Sequence, residues 1–307
     1  ISISGGNQVV SGSKLQHAAG VSDDTPELMV ADFLANGSGL NVKELVTLLA
    51  ENVGETTDWV HEYMGVDYDM EQGLHVLAEY QKNRELAYHH GGHGFAASAR
   101  KALDNSQVAV YLQTKADRLL TDGQGKVIGI KAIEESGKTH LIYAKAVVLT
   151  TGGYGNNAKL LSEKLNKVLY YGPKSATGDG LLMATTSELN AGTRLMEYGK
   201  IYPNGVEVSQ GYAKSTIGGN LAVLKENGLL VNPNGERVVN ERASNKEILE
   251  VLLAQSPQML YLLLDAAHFE IFSSAVAEGG ITREDLERWI AQKGTATPLA
   301  FKAETLT

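Results

Sequence analysis

Residues 144–156, AKAVVLTTGGYGN, constrain the fold of this chain more than any other stretch. Ala146 to Leu149 carries no charge and runs into Gly152 and Gly153, the pattern of a strand buried on both faces of a parallel sheet. The chain is therefore expected to be an α/β protein with this run as a central strand. Ligands of open α/β sheets bind at the carboxyl ends of strands, and two glycines let main chain approach a ligand that a Cβ would hold off. Glycine after a strand is also common turn punctuation, so taken alone the stretch leaves a plain strand-to-loop turn open.

The residues before it narrow the choice. Val108 to Leu112 alternates towards Thr114, and Lys115 to Leu120 stays extended into the turn Asp122-Gly123-Gln124-Gly125. Val127, Ile128 and Ile130 mark another strand, Ser136-Gly137 turns, and Leu141 to Tyr143 returns. A β-meander leading into a buried strand that ends in TTGG is a specific order, and it favours the ligand reading. After Asn156 a helix is expected over Ala158 to Leu165. Gly178-Asp179-Gly180 then opens a helix from Leu181 to Leu189. Asp179 suits either an N-cap or an acceptor for a ligand's hydroxyls.

Elsewhere the signals are mostly scaffold. Thr25 and Pro26 start a helix that runs to Ala35, and Asn41 or a neighbour starts a second with Leu45, Leu48, Leu49 and Val53 on one face, continuing to a stop at Gly65. Residues 88–94, YHHGGHG, hold three histidines but no i, i+4 pair and no carboxylate at ligand spacing. They read as a glycine-rich loop feeding a helix N-terminus, which suits an anion or a carbonyl oxygen, and no metal site is expected. Towards the end, Glu247 to Ala254 and Arg283 to Gln292 are expected helices, with Trp289 in the core. Met259 to Asp265 is an expected strand, and His268 a helix-start residue.

Composition excludes several classes. With 307 residues and 43% apolar content the chain can bury a sizeable core and make two domains. The net charge of −9, without a basic stripe, argues against a nucleic-acid partner. The absence of cysteine removes disulfides, thiolate metal sites and thiol nucleophiles. No apolar run approaches the roughly 20 residues of a membrane-spanning helix. The opening ISISGGNQVV has neither a secretory pattern nor an initiator Met, so it says little about location, which is left open with the cytoplasm slightly favoured.

In order, SGGN near the start, the meander, TTGGYGNN, ATGDGLLMA, Tyr202-Pro203 and NGLLVNPNGERVVNE from Asn227 to Glu241 resemble the fumarate reductase and succinate dehydrogenase flavoprotein family. The likeness is greatest to the soluble fumarate reductases and urocanate reductases, and it covers nearly the whole chain. It implies FAD as cofactor and a small-molecule substrate. The implied architecture is an incomplete Rossmann-like FAD/NAD(P)-binding domain with the inserted meander over residues 1–198, and an α+β capping domain over 199–307. In the family a hydride passes from flavin N5 to one alkene carbon of an α,β-unsaturated acid while an arginine protonates the neighbouring carbon. On that mapping Ser4, Gly5 and Gly6 approach the flavin, and Gly6 also faces substrate. Ala116 offers backbone to the adenine, Thr151 and Gly152 lie beside the cofactor, and Asp179 holds a polar part of it.

Two departures qualify the mapping. The family pattern opens with a GxGxxG strand-to-helix turn and closes with a glycine-rich segment under the isoalloxazine. Neither lies within these residues, so the chain is expected to be an incomplete copy that is inactive by itself and binds FAD weakly or not at all. In the substrate positions, Tyr202 stands where fumarate reductases carry histidine, as it does in urocanate reductases. A Thr-Glu pair falls on Asn220 and Leu221, and the proton-donating arginine falls on Asn245, with Arg242 nearby as a substitute. An amide cannot replace a guanidinium as charged clamp and acid. A monoanionic or aromatic unsaturated acid therefore suits the pocket better than a dicarboxylate. The alternative is a non-catalytic relative that binds a small molecule or partner without redox turnover.

Overall fold

Arg84 is the largest fully buried side chain among the described residues, and three segments are tied to it. The computed structural model describes residues 6–75, 80–277, 280–291 and 300–304, in two compact units, Ile1–Ala109 and Val110–Thr307. In the first unit a small antiparallel sheet of β1 (Asn7–Val9), β2 (Leu74–His75) and β3 (Glu85–Ala87) has β3 at its centre. Around it lie α1 (Lys14–Ala18), α2 (Pro26–Asn36), α3 (Lys43–Met64) and α4 (Gly91–Asp104).

The Arg84 guanidinium forks onto Asp24 with two bonds of 2.7 Å and turns its remaining nitrogen to Asp32 of α2. Gln16 of α1 donates to Asp24 at 2.9 Å and Gln81 donates to Asp32 at 2.9 and 3.0 Å, so the carboxylates have further donors. A buried charge is tolerated only with such pairing. Beside it, Val10, Val66, Tyr68 and Leu86 form an apolar core.

As the sequence predicts, Thr25 caps α2 with Pro26 at its first position. α3 is one helix that ends at Gly65, whose φ of 67° suits glycine. Val42 precedes it, and no side chain caps the start, Asn41 included. The expected apolar face of α3 is buried at Ala50 and Val53, where Met29 of α2 packs, while Leu45, Leu48 and Leu49 stay exposed.

The second unit opens with the expected meander: β4 (Thr114–Thr121), β5 (Val127–Glu134) and β6 (Thr139–Tyr143), antiparallel in sequence order. The expected central strand does not follow it. The ladder closes with Ala144 N–H on the Ile128 carbonyl at 3.0 Å. Ala146 to Leu149 then runs without strand pairing, Val148 being 82% exposed. Val108 to Leu112 likewise stays out of any ladder. A run apolar on both faces becomes a buried strand only between two others, and among the described residues none takes those places. All ladders between named strands are antiparallel here.

The helix expected over Ala158 to Leu165 is instead a series of turns with a 3₁₀ turn at Leu165–Lys167. Asn166 donates its side-chain amide to the carbonyls of Ala158 and Leu161 at 2.9 and 3.3 Å, the local competition that disfavours a helix. α5 (Asp179–Ala184) ends five residues before the expected Leu189.

The rest of the unit is built from the hairpin β7 (Gly205–Ser209) and β8 (Tyr212–Ser215), α6 (Ile217–Leu224), β9 (Leu229–Val231), α7 (Asn245–Leu253), β10 (Tyr261–Leu263), α8 (Ala266–Val276) and α9 (Arg283–Ala291). Ser244 and Glu247 close a capping box on α7. Asp265 caps α8 through the His268 N–H, which makes His268 a helix-start residue as expected. Trp289 lies in a core with Val276, Ile281 and Leu286. Gly219 lets α6 meet α8, since a Cβ there would fall 2.3 Å from Val276. Among the described residues no helix is long and apolar enough to cross a membrane.

Burial pushes the Asp24 and Asp32 carboxyls up, but the bonds from Arg84 and the glutamines outweigh it and hold both below the ordinary 3.8. Their contribution to stability is complete above that value and is lost as pH falls through the lowered folded values. Arg84→Met, which leaves two buried carboxylates without a cation, is expected to cost about 3–5 kcal/mol in urea unfolding at neutral pH. An unchanged midpoint would refute the assigned role.

Candidate functional site

In the first unit the two glycine-rich signals of the sequence prove to be one place. Ser4 and Gly5 lie outside the described residues. Gly6 is buried at φ 75°, and a Cβ on it would sit 2.2 Å from Gly92 N and 2.3 Å from Gly91 C. Its carbonyl accepts the Tyr88 N–H at 2.7 Å. The small-residue corner thus packs main chain against main chain on the start of α4. His90 precedes that helix at φ 61°, and its ring meets that of His89 edge-on at 4.2 Å.

The second unit gathers the other residues expected to hold the cofactor. Gly180 faces Thr151 so closely that a Cβ would lie 2.1 Å from Thr151 Oγ1, and the Gly178 N–H donates to the Gly153 carbonyl at 3.1 Å. Asn157 Nδ2 donates to the Thr177 carbonyl at 2.8 Å, stitching the two loops together. Asp179 is the first residue of α5, behind Gly178 at φ 81°, and makes no capping bond. Its carboxylate instead takes Lys115 Nζ at 3.0 Å and Thr177 Oγ1 at 2.9 Å. The hydrogen bond from Lys115, followed by that from Thr177, holds the carboxyl below its ordinary value. Lys115 precedes Ala116, which pairs with Ala132 beside a bulge in β4. Ala116, Thr151, Gly152 and Asp179 are therefore linked into one region. Gly152, at φ 79°, and Gly153 would carry a Cβ with no atom within 4 Å, so this turn offers bare main chain.

Two of the expected substrate positions are bonded to a residue the sequence did not single out, and a third, Tyr202, precedes it by two residues. Asn204, 4% exposed, accepts Asn220 Nδ2 on its Oδ1 at 2.8 Å and donates its Nδ2 to Asn245 Oδ1 at 3.2 Å. Tyr202 stands two residues before it, with Lys200 Nζ 4.8 Å from its ring centre. Burial, then the neighbouring Tyr202, pushes the Tyr171 phenol up and keeps it neutral. Leu221 is exposed.

Arg242 is not drawn into this cluster by a hydrogen bond. Its Nη2 donates to the Lys225 carbonyl at 3.3 Å, at the end of α6. His268 Nε2 reaches the next carbonyl, Glu226, at 2.5 Å while Nδ1 meets Asp265 at 2.7 Å. With acceptors on both ring nitrogens the imidazolium is favoured, and the Asp265 bond, followed by that to Glu226, raises its pKa. Glu241 is buried and accepts Arg237 and the Leu230 N–H; the Arg237 hydrogen bond, against burial, pushes it down to about 2.

Residues 2–297 match the FAD binding domain family. The chain belongs to that family. FAD is accordingly its cofactor class. A probable fumarate reductase of Shewanella frigidimarina, Ifc3, is 27% identical over 279 residues, covering 85% of this chain and 45% of that protein. The urocanate reductase of Eggerthella lenta is 26% identical over 318 residues, covering 99% of this chain and 51% of its own length. The chain spans about half the length of these curated relatives. In fold it is similar to the open conformation of a flavocytochrome c3 fumarate reductase, with a TM-score of 0.70 at 23% identity over 94% of this chain and 53% of that one. It is also similar to a 3-ketosteroid-delta4-(5alpha)-dehydrogenase from Rhodococcus jostii RHA1, with a TM-score of 0.65 at 22% identity over 96% of this chain and 66% of that one.

The residues present fit the family's cofactor. The open glycine turn is the kind of surface against which a flat ligand lies, and the Lys115–Asp179 pair stands at the start of a helix next to it. Gly152→Val, which puts a β-branched residue at φ 79°, is expected to remove most of the bound flavin from the full-length protein, read as visible absorbance after gel filtration. Asp179→Asn is expected to lower the flavin content less, because it keeps the side chain's shape. Full flavin content in Gly152→Val overturns the placement.

Proposed function

We propose that this chain is the flavin-binding and substrate-binding part of an FAD-dependent reductase that saturates the C=C bond of an α,β-unsaturated carboxylic acid. The preferred acid is monoanionic and urocanate-like. The observation that carries the reading is the joining of Asn220 and Asn245 through Asn204, next to Tyr202. Residues mapped separately onto substrate positions meet in space, in a family of FAD-dependent oxidoreductases.

When bound and reduced by an external electron donor, the flavin would supply the hydride. The chain's own residues bind and orient the acid. Asn245 offers an amide hydrogen bond to a carboxylate oxygen at the start of α7, where the helix dipole also favours negative charge. Tyr202 stacks on the unsaturated tail or hydrogen-bonds to it. An amide has no proton to give at neutral pH, so Asn245 orients and does not protonate. We assign proton delivery to Arg242, the guanidinium three residues earlier, which exchanges the Lys225 carbonyl for substrate in doing so. Gly152 supplies close main-chain approach, and the division between flavin-binding and capping parts falls at residue 199, inside the second compact unit.

The absence of a guanidinium at Asn245 also supports a second reading, in which the pocket binds a small molecule without turnover. The two part in one experiment. The full-length protein is loaded with FAD, reduced anaerobically with dithionite, and mixed with 3-(imidazol-4-yl)propenoate, fumarate or acrylate. Flavin reoxidation by the imidazolyl acid at least roughly tenfold faster than by fumarate is the expected outcome. A flavin that stays reduced with every acid establishes the second reading.

A further inference from the structure

The three asparagines form a chain of amides with a direction. Each side-chain amide has one acceptor oxygen and one donor nitrogen. Asn204, buried behind the other two, uses both inside the protein: its Oδ1 takes Asn220 Nδ2 at 2.8 Å and its Nδ2 gives to Asn245 Oδ1 at 3.2 Å. Its main-chain carbonyl also accepts the Thr216 N–H at 3.4 Å, directly before α6, so the residue is fixed at both ends. Head-to-tail hydrogen bonds polarise one another, which reinforces a single direction along the chain. Asn220 on α6 has committed one of its two N–H donors to Asn204 and keeps both lone pairs of Oδ1 and one N–H for a ligand. Asn245 on α7 has committed one lone pair of Oδ1 and keeps both N–H donors of Nδ2, so the two ends are biased in opposite senses.

We propose that Asn204 is a positioning residue that gives the two outer amides opposite polarity, so that the site takes an unsaturated acid with a carboxylate at the Asn245 end and an N–H or O–H donor at the Asn220 end. This rests on the reading that Asn220 and Asn245 face substrate. A dicarboxylate presents acceptors at both ends, and at the Asn220 end it meets the Oδ1 lone pairs with a single remaining N–H to accept from. An acid whose tail carries a ring N–H satisfies both amides.

The test uses full-length protein with FAD bound and two probes of similar shape, 3-(imidazol-4-yl)propenoate and 3-phenylpropenoate. Binding is followed by calorimetry and turnover by KM and kcat, so that affinity is measured even if neither compound is reduced. Wild-type protein is expected to bind the ring N–H compound roughly tenfold more tightly, the worth of one hydrogen bond that leaves no buried group unpaired. Asn204→Asp has the same shape but can only accept. It keeps the bond from Asn220 and turns Asn245 round, so both dissociation constants rise by about the same factor, roughly tenfold, and their ratio is kept. Asn204→Leu, of similar shape without polar atoms, is expected to collapse the ratio to about one.

A purely structural role would move the melting temperature and both affinities together, whichever substitution was made. Should either variant fail to fold, Asn220→Leu on the half-buried face of α6 replaces it and is expected to erase the ratio. Equal wild-type affinities, or a ratio that survives Asn204→Leu, overturn the proposal. A tenfold wild-type binding ratio that behaves as described without any reduction overturns the reductase reading and leaves the positioning role standing.

Discussion

The region expected to meet the cofactor depends on close packing at glycines, where a Cβ on Gly178 or Gly180 would collide with its neighbours. The Gly178 N–H reaches the Gly153 carbonyl, and Gly180 leaves room for Thr151. That contact holds the exposed turn at 151–153 against the start of α5, and α5 in turn brings Asp179 to Lys115 of β4. The first unit uses the same device at Gly6, closed onto Gly91 and Gly92. Glycine suits both places for its lack of a Cβ and for its tolerance of positive φ, which Gly6, Gly91, Gly152 and Gly178 all show.

The meander was legible in the sequence because its information is local. Asp122 Oδ1 accepts the Gln124 and Lys126 N–H groups at 2.9 Å, so the residues that spell the turn also make it. Thr25-Pro26 gave away α2 for the same reason. The run at 146–149 misled because hydrophobicity says that a segment wants cover on both faces but not whether strands within the described residues provide it. The segment after Asn157 misled because the side-chain amide of Asn166 outcompetes helical hydrogen bonding from eight and five residues away.

Within the candidate site, the family's motifs pointed to Asn220 and Asn245 one by one but not to the residue between them. Asn204 follows Pro203 in no recognisable motif, and its partners stand 16 and 41 residues away. Hydrogen bonds of that span leave no periodicity to read. Lys115 was missed for the opposite reason: it sits beside Ala116 in plain view, but a lysine on a half-exposed strand looks like any other until Asp179 is seen opposite it. Glu241 illustrates a third case. It closes the motif NGLLVNPNGERVVNE, and in the structure it is a buried carboxylate that ties Arg237 and Leu230 together.

The amide cluster has a consequence for how such a site would respond to acidity. Carboxamides neither gain nor lose protons over the range in which proteins stay folded, so the orientation of Asn220, Asn204 and Asn245 is the same in weak acid and in weak base. A dependence of turnover on pH must then originate in groups outside the trio, and its shape would report on them without interference from these amides.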